Sequence, residues 1–166
     1  MAGVVLRRFG ALWRAILSSP PLTLNGWVAF NLPRTVTALG ELLLLGLVAA
    51  HAYVLITEPD LPAYFVVYSA ALVLCCAIAA GALVFRFEPV LPQAGWYFGS
   101  VVCTTFLVIY LITRFVGLAG LDELTGRWDL APGTFAMVFA GGFITVHTTV
   151  LSGINVAYPR HQQWLD

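Results

Sequence analysis

Apolar residues run without a charge through 61–85, 89–113 and 130–159, and a fourth stretch, 35–57, is broken only by Glu41. A hydrocarbon core of about 30 Å takes about 20 helical residues to cross. These runs therefore predict four membrane-spanning helices at 35–57, 63–85, 95–118 and 133–156. Proline and glycine mark the gaps: Pro59 and Pro62 after the first span, Pro89 and Pro92 after the second, Pro132 and Gly133 before the fourth. Links this short predict antiparallel neighbours, so the expected fold is all-α, a four-helix transmembrane bundle.

The first 34 residues read differently. Residues 15–33 are also uncharged, but Ser18-Ser19-Pro20-Pro21, Asn25-Gly26 and Asn31-Leu32-Pro33 would leave backbone groups unpaired in lipid, which argues against a fifth span. No single compact apolar core followed by a cleavage site is present, which argues against a signal peptide. Residues 4–17 fit an amphipathic interfacial helix, with Arg7, Arg8 and Arg14 toward headgroups and Leu6, Phe9, Leu12, Trp13 and Ile16 toward acyl chains. The expected layout is thus an interfacial arm at 1–34, the four spans within 35–156 and a tail at 157–166.

Composition agrees with membrane insertion. The chain of 166 residues is 60% hydrophobic and 10% charged, against roughly 45–50% and about 25% in soluble domains. The net charge of zero offers neither a basic surface for nucleic acid nor an acidic one for a polycation. All eight basic residues are Arg; Arg7, Arg8, Arg14, Arg34, Arg86 and Arg160 fall on one side of the spans, while Glu58, Asp60, Asp122, Glu123 and Asp129, with Arg127, fall on the other. The positive-inside rule then predicts cytoplasmic termini in a plasma membrane. Trp27, Trp96 and Trp128, with Tyr53, Tyr64, Tyr97 and Tyr158, cluster near span ends and are expected in the headgroup zone.

Small residues recur at every fourth position as Gly95-x3-Gly99-x3-Cys103 on the third span and Gly141-x3-Thr145-x3-Thr149-x3-Gly153 on the fourth, with a shorter Ala77-x3-Gly81 on the second. Such stripes let helix backbones approach, either within the bundle or against another copy or subunit.

Ionisable residues inside spans are costly and mark candidate sites. Glu41 and His51 stand on the first span, Arg114 on the third and His147 on the fourth. Glu41 and His147 come within about 5 Å of one depth, and His51 and Arg114 share a level on the other half of the bilayer. Thr104 and Arg114 are ten residues apart, so one broad face of the third span offers a hydroxyl to the first layer and a guanidinium to the second. A Glu–His pair at one depth suits proton passage, because imidazole gains and loses its proton near neutrality. The structural alternative is that Glu41 bonds Thr37 or Thr104 and fixes packing, while Arg114 and His51 reach outward toward Asp60 or Asp122. His147 lies about 200° around the helix from Thr145 and Thr149, so it faces a different neighbour from the small-residue stripe.

Other chemistries find less support. Bis-His haem b ligation by His51 and His147 requires two ligands at one depth, and theirs differ by about 6–12 Å. Cys75, Cys76 and Cys103 all fall in apolar spans, where a disulfide framework is not expected. Adjacent Cys75 and Cys76 point about 100° apart, a poor metal pair. Ser152 is about 140° around the helix from His147, so these two cannot form a hydrolase dyad. No metal-binding, nucleophile-elbow or phosphate-loop motif occurs. Three functions are thus expected, in order: an accessory subunit of a larger membrane complex, without catalytic activity of its own and in contact with lipid and other subunits; a small homo-oligomeric proton-coupled transporter or channel using Glu41 and His147; and an electron-transfer subunit associated with haem or quinone.

Overall fold

The structure is a computed structural model, and it describes residues 32–58, 60–85, 90–117, 125, 126, 128, 131–155 and 157. Four helices account for most of them: α1 (Pro33–Thr57), α2 (Ala63–Val84), α3 (Val90–Phe115) and α4 (Ala131–Leu151). All four are long and apolar enough to cross a membrane, with mean hydropathies from 1.6 to 2.3. The expected arm at 1–34 and the tail at 157–166 lie almost wholly outside the described residues, and with them Arg7, Arg8, Trp13 and Arg14.

Proline sets the helix starts. Pro33 opens α1, where its missing N–H removes no ladder bond. Pro92 sits in the first turn of α3 and is tolerated there for the same reason, so the helix begins at Val90, five residues before the position expected from hydropathy. Pro132 likewise falls in the first turn of α4. The other end of α4 is fixed by glycine. Gly153 has φ +78°, and its N–H donates to the Val150 carbonyl at 3.1 Å while that of Ile154 donates to the Thr149 carbonyl at 3.0 Å. This pair of reversed bonds is a Schellman cap, and it ends the helix at Leu151 rather than at the expected 156.

Each helix packs on two neighbours, in the ring α1–α2–α3–α4 with α1 against α4. The termini of the helical ring, Pro33 and Leu151, therefore share one end of the bundle, and Thr57, Ala63, Phe115 and Ala131 share the other. Apolar side chains fill the interior, including Leu44 and Leu47 of α1, Cys76, Ala79 and Leu83 of α2, Trp96 and Cys103 of α3, and Ala140 and Phe143 of α4. Others face outward: Leu42, Leu45, Val67, Leu74, Val101, Phe135 and Val138 are exposed. A bundle apolar both inside and out suits contact with a lipid bilayer rather than with water.

Candidate functional site

Near the Pro33 end, α3 and α4 bring polar and aromatic groups into one layer. Trp96 is fully buried, its indole stacked on Phe143 (centroids 4.9 Å apart, 24°) and on His147 (5.6 Å, 25°). Phe143 and His147 are one turn apart on α4, so the indole lies along both. Its benzo ring crosses the bundle to α1, where Gly40 leaves room; a Cβ there would come within 2.6 Å of the ring. Trp96 was expected at the headgroup level. The early start of α3 instead carries it into the second turn, on the inward face shared with Gly99 and Cys103.

His147 is buried, packed edge-on against Tyr97 (5.0 Å, 85°). Its Nδ1 is hydrogen-bonded to the Ser100 hydroxyl at 2.6 Å, a bond in which either partner can act as donor according to the tautomer. Its Nε2 is buried without a hydrogen-bond partner among the described residues, as is the indole Nε1 of Trp96. Thr104, the hydroxyl that spacing assigned to this layer, is exposed on α3. Ser100, one turn earlier, takes that place. The signal for it was present: Ser100 shares the inward face with Trp96 and Cys103 at helical spacing. Glu41 is half-buried on α1 beside Gly40, which places it at the level where α1 meets Trp96.

A second cluster lies near the Thr57 end. His51 Nδ1–H donates to the Leu47 carbonyl at 3.0 Å, and its ring packs between Tyr68 (6.2 Å) and Phe106 (5.3 Å). Phe106 leans on Tyr110 (5.9 Å), and the buried guanidinium of Arg114 lies over the Tyr110 ring, 4.5 Å from its centroid. His51 and Arg114 are thus linked through two aromatic rings. Of the acidic groups considered for an outward reach, Asp60 is exposed and Asp122 lies outside the described residues.

The small-residue stripes have different surroundings. On α3, Gly95 faces Ala82 and the Ala79 and Leu83 backbone of α2, Gly99 faces Phe143, and Cys103 is fully buried. On α4, Gly141 opens on empty space and Thr145 is exposed; the Thr145 hydroxyl donates to the Gly141 carbonyl at 2.8 Å. Thr149 donates to the Val146 carbonyl at 2.6 Å and accepts from the Asn155 amide at 2.8 Å. Gly153 lies in the cap beyond the helix. Gly81 of α2 also opens on empty space.

The chemistry open to these groups is narrow. Ser100 and His147 have the spacing of a nucleophile and base, but Ser100 stands inside α3, where backbone N–H groups are committed to the helix ladder and cannot form an oxyanion hole. His51 packs on Phe106 and His147 on Ser100, levels about 9 Å apart along α3, too far for one iron to take both as axial ligands. Among the described residues no three His, Cys, Asp or Glu are grouped to hold a metal, and Cys75, Cys76 and Cys103 are free thiols. No known protein family matches this chain, and neither curated proteins nor solved structures show significant similarity to it.

Proposed function

We propose that this chain is a non-catalytic subunit of a larger membrane assembly, lodged in the plasma membrane with both termini cytoplasmic. One observation carries the reading: on the α4 stripe Gly141 opens on empty space and Thr145 is exposed, away from the core that α4 supplies through Ala136, Ala140, Phe143 and His147. In lipid no hydrophobic force joins helices, and close backbone approach at small residues is a main source of association. An outward small face is thus suited to a helix of another chain. The arginine distribution supports the orientation.

The test is gentle extraction of the tagged chain, with the stoichiometry of what accompanies it, in the wild type and in the Gly141→Leu/Thr145→Leu variant. The proposal expects partner subunits in fixed ratio and their loss from a variant whose bundle still folds. A chain that runs alone in the wild type overturns it.

A second reading, a proton route through Glu41 and His147, is favoured by the Ser100–His147 hydrogen bond inside the span. Hydroxyl and imidazole together can hand on a proton. Glu41→Gln would then abolish proton flux in proteoliposomes, and unchanged flux rejects it.

A further inference from the structure

Two buried ring nitrogens on stacked side chains, Trp96 Nε1 and His147 Nε2, call for a partner that no described residue supplies. Trp96 is 0% and His147 3% exposed, and Trp96 Nε1 and His147 Nε2 both lack a hydrogen-bond partner among the described residues. In a membrane interior bulk water does not reach such atoms, and leaving them bare is costly. The two rings are stacked, with centroids 5.6 Å apart and planes at 25°. His147 commits Nδ1 to Ser100 on α3, so Nε2, on the opposite side of the imidazole, aims away from α3. Trp96 stacks on the same imidazole, and its benzo ring, adjoining Nε1, reaches Gly40 of α1.

We propose that an ordered water molecule sits at this α1–α3–α4 junction and bridges Trp96 Nε1 to His147 Nε2. The donor inventory selects water over an ion. Indole N–H only donates and therefore needs an acceptor. Imidazole Nε2 carries the hydrogen and donates when Nδ1 accepts a hydrogen bond from the Ser100 hydroxyl, and it accepts when Nδ1 carries the hydrogen and donates to Ser100. Water accepts from the indole and satisfies either tautomer, whereas an anion fits only one and a cation cannot accept from the indole at all. Two protein contacts are at the low end of the roughly two to four that a buried water makes. The site goes beyond the function proposed above and does not depend on it, since it follows from unsatisfied polar atoms whether or not the chain has partners.

The full chain, labelled with 15N at its tryptophans and held in nanodiscs, gives one indole N–H signal for each of its five Trp residues, and Trp96→Phe identifies the one that matters. The expected result is a water cross-peak at the Trp96 indole proton that is lost, with an upfield shift of that proton, in His147→Phe. Ser100→Ala, which keeps the imidazole, retains the cross-peak. A wild-type Trp96 signal without a water cross-peak overturns the proposal, and this outcome needs no variant to fold. A cross-peak that survives His147→Phe unchanged also overturns it, because the water then does not bridge.

Discussion

Ser100 Oγ and His147 Nδ1 lie 2.6 Å apart, in a side-chain hydrogen bond between two spanning helices within the Trp96 layer. It holds α3 to α4 at the level where Trp96 crosses to α1. Removing the hydroxyl strands Nδ1 in an apolar interior. Ser100→Ala is expected to destabilise the bundle by about 1 kcal/mol. In combination with His147→Phe the loss should be less than additive, since the partner is already gone. Reversible unfolding in mixed detergent micelles measures both, and strict additivity would show that the bond contributes nothing.

Glycines divide into two groups with opposite expectations. A Cβ at Gly40 would lie 2.6 Å from Trp96 and one at Gly99 2.7 Å from Phe143, whereas Gly81 and Gly141 open on empty space. Gly40→Ala and Gly99→Ala must displace rings wedged between helices, and each is expected to cost about 1–3 kcal/mol. Gly81→Ala and Gly141→Ala should leave the isolated bundle unchanged or slightly more stable, because alanine is the better helix former. Thermal unfolding of the four variants checks the split; equal losses would mean that the ring contacts do not govern packing.

The spans could be read from the sequence because length and apolarity alone decide membrane crossing, and the four helices lie where the uncharged runs do. Their ends could not, because they depend on local backbone chemistry. Pro92 is accepted inside the first turn of α3, and Gly153 closes α4 with a Schellman cap. Those shifts also explain what was missed at the site. A tryptophan near a span end reads as a headgroup anchor, yet moving the start of α3 to Val90 makes Trp96 a core residue. His147 stood out as an ionisable group in an apolar run, but whether Ser100 or Thr104 meets it depends on how α3 is rotated against α4, which one helix's periodicity does not contain.

Arg114 and Tyr110 offer a test of which part of a side chain matters. The guanidinium lies 4.5 Å from the ring centroid, while the Tyr110 hydroxyl is buried without a partner among the described residues. If the ring face carries the interaction, Tyr110→Phe keeps it and sheds an unsatisfied polar atom. It should be neutral or stabilising. Tyr110→Leu removes the ring and is expected to cost about 1 kcal/mol or more, since a partly desolvated cation–π contact is of that order. Comparing the two variants by chemical or thermal unfolding decides it, and a larger loss from Phe than from Leu would transfer the role to the hydroxyl.

Sidedness makes the last prediction, and it bears directly on the proposed assembly. Arg34 lies in the first turn of α1 at one end of the bundle, and Asp60 lies in the link between α1 and α2 at the other; both are exposed. Cytoplasmic arginines dominate orientation because basic residues near span ends resist translocation. With Cys75, Cys76 and Cys103 changed to alanine, Asp60→Cys in intact cells should therefore react with a membrane-impermeant maleimide. Arg34→Cys should react only after the cells are opened. The reverse pattern would invert the chain, placing the Ser100–His147 layer and the capped end of α4 on the outer side, and any partner helix on the Gly141 face would have to be sought among subunits of the opposite topology.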